Sequence, residues 1–534
     1  MPDLLQQIYL LNKIGIALSM ESDTQKLLEV IMMGAKQLTH ADGGSLYFVK
    51  DGQLRFEITS NDSLNTHMGG TSGRDITFPA IPMKIAGKDN HSNVVSHCVL
   101  TEKSINIIDA YHEEGYDFTG TRNFDRNTGY RTMSVLTIPL RDHENEIIGA
   151  LQLINAQSPA GDKTIPFSAV NQQLAESLAS QAAVALTQRR LITELQVLFE
   201  SFTKMIASAI DDKSPYTGGH CRRIPVLTMM LAEAAHDSDL GVLQNFVITD
   251  KDRYELETAA WLHDCGKVVT PEHVMDKSTK LETIVDRVHL IASRIEILIR
   301  DAEITFLRDK IDLMSASQSF ESIERRYQKQ CQQYRSDLDF ITTINVGGEF
   351  MTDDDIERVS AIARLTWLDQ SGNRQQLITE DELSNLCIRK GTLNDAERQV
   401  INNHIVVTIK MLESLPFPKN LQNVPEYAGG HHEKMDGTGY PKGLRKEEMS
   451  IQARIIAIAD IFEALSANDR PYKEGKKLSE CLRIMGVMKK ENHIDPDIFD
   501  IFVKNKVYMD YAVEFLDPEQ IDEIDESIIQ GYLI

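Results

Sequence analysis

Apolar residues Leu4, Ile8, Leu11 and Leu18 fall on one face of a helix, so the N-terminus is predicted to form an amphipathic helix. Further on the period changes. Gly43–Val49 and Leu54–Ile58 read as two strands, and Asp51-Gly52 between them signals a hairpin. Ser134–Leu140 and Ile147–Ile154 read as a second strand pair, with helices flanking both. From Leu174 to Phe202 the pattern is helical and unbroken by Gly or Pro. Leu178, Ala185, Ile192 and Phe199 recur every seven residues, with Leu174, Gln181, Gln188, Leu195 and Phe202 as the partner seam. This predicts a short coiled-coil linker and a homodimer, although its two glutamines weaken the seam; the competing reading packs the helix on its own domains.

Residues from about 203 to 508 are predominantly helical, and roughly 280–385 looks inserted. Two charged helical stretches lie there, Leu281–Leu307 and Phe320–Ile344. Asp353-Asp354-Asp355 reads as a solvated helix N-terminus rather than a metal site. The tail after Asp510 is acidic and is expected to be peripheral.

Composition narrows the function. Of 534 residues, 42% are hydrophobic and 25% charged, as in ordinary soluble domains, and the length allows several cores. A net charge of −24 argues against a sequence-general grip on DNA or RNA, which needs a basic surface. Cys98, Cys221, Cys265, Cys331, Cys387 and Cys481 show no C-x-x-C spacing, which predicts reduced thiols in a cytoplasm. No apolar run approaches the ~18 residues that span a bilayer. Asp3 and Lys13 make the N-terminus unlike a signal peptide, so no membrane role is expected.

The candidate chemistry sits in separated histidines and aspartates. His220 follows a glycine break, His263-Asp264 closes the apolar stretch Ala259–Leu262, and His431-His432 precedes a glycine-rich turn ending in Tyr440-Pro441. Asp460 ends the apolar run Ile455–Ala459, where an unpaired buried carboxylate is costly and so needs a partner or a cation. Histidine is the commonest transition-metal ligand and a carboxylate can bridge two ions, so these clusters suggest a multinuclear hydrolytic centre.

Taken in order, Tyr216-Thr217-Gly218-Gly219-His220, His263–Lys267 with Pro271, Lys390–Leu393 followed by His404, His431-His432-Glu433 through Asp436–Pro441, Ala453–Asp460 and Arg470–Lys473 resemble the HD-GYP subgroup of the HD phosphohydrolases. The resemblance implies a multidomain chain whose all-α catalytic part spans 205–508, with the helical insertion at about 280–385. It implies a carboxylate-bridged centre of iron or manganese that hydrolyses cyclic di-GMP or 3'3'-cyclic GMP-AMP. Carried over residue by residue, it makes His220, His263, Asp264, His404, His431, His432 and Asp460 metal ligands, with Asp264 bridging. Lys267, Arg470 and Lys473 would then meet phosphate, with Lys267 and Asp264 at the reacting centre, and Tyr440 would shape the substrate pocket. Some members carry a glutamate where this chain has Tyr216, so two divalent ions are expected rather than three. His289, after Lys280-Leu281-Glu282, is the weaker alternative to His404. The other readings are a catalytically silent HD-GYP signalling protein and an HD-type hydrolase of mononucleotides.

Residues 1–172 resemble a GAF domain, an α/β ligand-sensing fold with an antiparallel sheet, and 173–204 form the helical linker, with 509–534 the acidic tail. The resemblance rests on Ala41–Tyr47, Ile108–Tyr111, Gly129–Leu136 and Ile148–Asn155, and it implies a small-molecule ligand. Asn155 is followed by Ala156, and Asn171-Gln172 stand where cyclic-nucleotide-binding members carry an acidic pair, which argues against a cyclic nucleotide. Cys98 with His97 reads as a structural pair rather than a haem or redox sensor.

Overall fold

The computed structural model describes residues 2–213, 219–239, 241–316, 318–348, 350–468, 475–529 and 531. The chain divides into two compact units, Met1–Leu198 and Phe199–Ile534.

The first unit opens with α1 (Pro2–Met20) and α2 (Thr24–Thr39), whose N-cap Asp23 accepts the Gln25 and Lys26 N–H groups. Then follow β1 (Ala41–Lys50), β2 (Gln53–Asn61), β3 (Thr66–Gly69), α3 (Val94–Thr101), β4 (Ile105–Ile107), α4 (Thr119–Thr128), β5 (Val135–Arg141) and β6 (Ile147–Gln157). They form an antiparallel sheet of order β3-β2-β1-β6-β5-β4, extended by the short strands Ile81–Pro82 and Thr164–Ile165. Both predicted strand pairs are present, the first turning at Asp51-Gly52. One face is buried beneath α1, α2 and the long helix α5 (Ala169–Lys213) through Ile31, Met32, Leu46, Leu153, Leu178 and Leu186. A Cβ on Gly44 would lie 2.8 Å from the Met32 sulfur, so α2 rides directly on β1.

Two predicted faces differ from what forms. On α1, Ile14 and Leu18 are buried while Ile8 is exposed, because the helix seats against Gly34 of α2 and Gln181 of α5 rather than along its full apolar stripe. On α5, Leu174 and Leu178 are buried, Leu178 in the sheet-facing core, leaving Ile192, Leu195 and Phe202 of the heptad seams exposed.

In the second unit, α6 (His220–His236) and α7 (Asp250–Leu262) come first. The insertion then contributes α8 (Val288–Ser315), α9 (Glu321–Asn345), α10 (Asp353–Ala363), the hairpin β7 (Thr366–Leu368) and β8 (Arg374–Gln376), and α11 (Glu380–Leu386). These elements bury their own apolar cluster, including Leu281, Ile291, Ile341, Ile362, Leu377 and Leu386. Asp353–Asp355 are the first turn of α10, capped by Thr352, as predicted. After the insertion come α12 (Asp395–Glu413), α13 (Val424–Gly429), α14 (Ile451–Ser466), α15 (Leu478–Lys490), α16 (Pro496–Lys504) and α17 (Val507–Phe515). They enclose a core with α6 and α7 that includes Leu231, Leu256, Leu412, Ile458 and Phe502.

The acidic tail is not peripheral. Tyr511, Ala512 and Ile529 join that core, and Gln520 donates to the carbonyls of Ser466 (2.7 Å) and Lys476 (3.1 Å). Most of its acids are exposed, while Tyr511, Ala512 and Ile529 fill the interior.

Candidate metal centre

Five segments converge on Asp264. His220 is the first residue of α6, and His263 caps the C-terminus of α7. Asp264 then opens a tight turn, Cys265–Val269. That turn presses on α12: a Cβ on Gly266 would stand 2.0 Å from the His404 carbonyl oxygen, and the Gly266 N–H donates to Thr408 Oγ1 at 2.9 Å. Glycine is therefore required for the Asp264 turn and His404 to approach. His431 and His432 follow α13, and Asp460 lies on α14.

The imidazoles are oriented by their own backbones. His263 Nδ1 lies 2.7 Å from the Ala260 carbonyl, His404 Nδ1 2.5 Å from that of Ile401, and His431 Nδ1 2.6 Å from that of Ala428. Each ring donates its Nδ1 hydrogen outward and turns a bare Nε2 inward, the form in which imidazole binds metal.

Around Asp264 the donor atoms form two groups. Oδ2 lies 3.3 Å from His220 Nε2 and 3.2 Å from His263 Nε2; Asp460 Oδ1 lies 3.3 and 3.9 Å from the same two nitrogens. Oδ1 lies 3.2 Å from His404 Nε2 and 4.0 Å from His431 Nε2, while His432 Nε2 is 3.2 Å from His404 Nε2. His220, His263 and Asp264 offer donor atoms within 4.8 Å of one another, as do Asp264, His404, His431 and His432. Asp264 belongs to both sets.

His220 Nε2, His263 Nε2, His431 Nε2 and Asp264 Oδ1 are buried without a hydrogen-bond partner among the described residues. Inward polar atoms left unsatisfied in one place are costly unless a cation fills the space. The donor set thus suits divalent metal ions of borderline softness.

Charge states agree. Burial alone would raise the Asp264 carboxyl, but Lys267, His263 and His220 hold it well below the usual carboxylate range. Burial pushes His431 well down, aided by His432 and His263, and pushes His432 down to about 4 against the pull of Asp460. Both imidazoles are neutral at ordinary pH. For Lys267, burial is outweighed by Asp264 and Asp460, which raise it to about 12, and its Nζ sits 2.5 Å from Asp264 Oδ2. Tyr440 stacks on the His432 ring at 4.9 Å and 25°.

Sequence reasoning missed a supporting pair. Glu463, 1% exposed, accepts from Arg223 Nε and Nη2 at 2.8 and 2.5 Å and lies 2.5 Å from His220 Nδ1. Burial opposes ionisation, yet His220 and Arg223 bring Glu463 down to about 2, and Glu463 in turn holds His220 well above its ordinary value against burial. The signal was present: each stands three residues after a candidate ligand, on the same helical face.

His289 is exposed on α8, away from the cluster that contains His404. Tyr216, Arg470 and Lys473 lie outside the described residues. Cys98 is buried and its thiol pushed up to about 12, while His97 Nδ1 faces His91 Nδ1 at 3.1 Å. Asn155 bridges strand ends, accepting from Met133 N (2.7 Å) and donating to Tyr130 Oη (2.9 Å), so it is structural here.

Comparison with known proteins fits this layout. Residues 23–186 match the GAF domain family and residues 379–498 the HD domain family. A 3'3'-cGAMP-specific phosphodiesterase 3 from Vibrio cholerae is 42% identical over 121 residues, covering 22% of this chain and 25% of that protein. A cyclic di-GMP phosphodiesterase from Thermotoga maritima is 33% identical over 119 residues, covering 22% and 32%. The matched stretch thus spans about a quarter to a third of these relatives' length. A solved GAF domain of a phosphoenolpyruvate-protein phosphotransferase from Coxiella burnetii aligns over 36% of this chain and 98% of its own at 15% identity, with a TM-score of 0.28.

Proposed function

We propose that this chain, which carries a GAF domain and an HD domain of the HD-GYP type, hydrolyses a cyclic dinucleotide, cyclic di-GMP or 3'3'-cyclic GMP-AMP, to a linear product under control of the GAF domain. The observation that carries the reading is the convergence of unsatisfied Nε2 and carboxylate atoms on Asp264.

His220, His263, Asp264 and Asp460 would hold one divalent ion, iron or manganese, and Asp264, His404, His431 and His432 the other. When bound, such a pair supplies Lewis acidity and a water of lowered pKa. Asp264, held as a carboxylate, would serve both sets. Lys267 stays charged at neutral pH and offers its ammonium to a phosphate oxygen, countering charge that builds during displacement. The Tyr440–His432 stack gives a flat face at the pocket for a purine. Arg470 and Lys473 are proposed as further phosphate contacts.

The GAF domain holds a cavity of about 510 Å³. Tyr47, Phe56, Phe78, Phe118 and Phe124 line it with Thr, Ser, Asn and Gln side chains, and none of its lining residues is charged. It suits an uncharged, largely aromatic small molecule, since a phosphate there would be buried without a cation. Exposed Ile192, Leu195 and Phe202 support a homodimer through α5. No helix among the described residues is long and apolar enough to cross a membrane, and all six cysteines are free, which supports a cytoplasmic setting.

Anaerobic purification with metal quantification, followed by product analysis on both dinucleotides, tests the reading. About two metals per chain and a linear product are expected, with turnover absent in Asp264→Ala. Hydrolysis retained by Asp264→Ala overturns it, and metal-free protein without turnover identifies a silent binding domain.

A further inference from the structure

We propose that the last turn of α5 is a two-pronged support for the metal centre, with Asp211 and Lys213 as positioning residues. The proposal rests on the metal-dependent reading above. Asp211, 5% exposed, accepts the backbone N–H of Gly219 at 3.1 Å and of Cys221 at 3.3 Å, the residues on either side of His220. The α6 N-terminus has no side-chain cap of its own, because its N-cap is Gly219 at φ 100°. Asp211 supplies that cap from another helix and so sets where His220 emerges.

Lys213, two residues on, donates from Nζ to the carbonyls of Lys267 (3.2 Å), Val268 (2.6 Å) and Thr270 (2.6 Å). These carbonyls close the turn that starts at Asp264 and contains Lys267. An ammonium with three donors suits three converging oxygens. Positions two apart on a helix point about 200° from each other, so the prongs reach opposite ways. One turn of α5 thereby bonds to the segment bearing His220 and to the segment bearing Asp264 and Lys267, whose donor atoms meet at 3.3 Å. Ligand sets work only when held to about 0.5 Å, and both halves of this one are referred to a single helix end. Because both residues lie in one turn of α5, a rotation or shift of that turn reaches both prongs together.

The test uses the full chain, metal-loaded under anaerobic conditions, with cyclic di-GMP and cyclic GMP-AMP as substrates. Lys213→Met is expected to lower kcat about 10–100-fold, the usual effect of losing an outer support of a metal site, with KM changed less than about twofold. Lys213→Arg, which keeps donors for the carbonyls, should restore part of that loss. Asp211→Asn should lower bound metal from about two per chain toward one, the ion on the His220 side. Wild-type kcat and metal content in Lys213→Met overturn the proposal. If that variant fails to fold, full metal occupancy with normal kcat in Asp211→Asn overturns it instead. Unaltered protein that binds no metal and cleaves neither dinucleotide sinks the metal reading itself, and the support role with it.

Discussion

His220 and Glu463 face each other at 2.5 Å across two helices, and Arg223 grips the other carboxylate oxygen of Glu463. The carboxylate fixes which imidazole nitrogen carries hydrogen, so Nε2 is the atom turned toward Asp264 and Asp460. Glu463→Gln, nearly the same size, is expected to weaken metal binding about 10–100-fold while the helical content is kept. Metal titration followed by equilibrium dialysis measures this; unchanged affinity would assign Glu463 to packing alone.

Gly266 is the close contact between the Asp264 turn and α12. In Gly266→Ala the added carbon meets backbone at 2.0 Å from His404 O and 2.6 Å from Thr408 N, atoms that cannot rotate away. A loss of about 1–3 kcal/mol is expected from overpacking, together with reduced metal content as Asp264 and His404 separate. Chemical denaturation and metal analysis read both. Wild-type values in each would mean the turn shifts freely.

Acid sensitivity is expected in the insertion. Glu382, 2% exposed, pairs with Arg294 at 2.7 Å. Burial raises its carboxyl, but Arg294 and the Thr379 N–H bring it below its ordinary value of 4.5. A depressed carboxylate contributes stability that is present above 4.5 and is lost as pH falls through the folded value. Melting temperatures recorded from pH 6 downward should therefore decline more steeply below 4.5 in the native protein than in Glu382→Gln. Parallel curves would exclude this pair as a source of acid lability.

The GAF cavity is predicted to discriminate by charge. Neutral aromatics such as indole or 2-naphthol should raise the melting temperature, in keeping with about 2.7 kcal/mol when ligand is at 100 times Kd, while cyclic GMP leaves it unchanged. Differential scanning fluorimetry on the full chain reads the contrast, and stabilisation by cyclic GMP would contradict the uncharged lining.

Leu195 is 64% exposed on α5. If two copies pair along this helix, Leu195→Glu places like charges at the seam and should shift the mass measured by light scattering from dimer to monomer. A native protein that is already monomeric at micromolar concentration leaves the seam without this role.

Much of the molecule was legible in the order of its residues. Local periodicity is a property of neighbours in the chain, so the strand pairs about Asp51-Gly52, the long α5 and the Asp353–Asp355 helix start could be read directly. The histidines and aspartates were legible as a set only because their order resembles a known family. What tertiary structure alone decided is where separated parts meet. It turned Leu174 and Leu178 inward, drew Tyr511 and Ile529 of the acidic tail into the core, and left His289 outside the cluster. It also brought Glu463 to His220 and set Lys213 against the distant backbone of the Asp264 turn. Such pairings span many residues of chain and depend on packing distances of a few ångströms. A one-dimensional pattern of apolar and polar positions carries the period of each element, but not the register in which elements come to rest against one another.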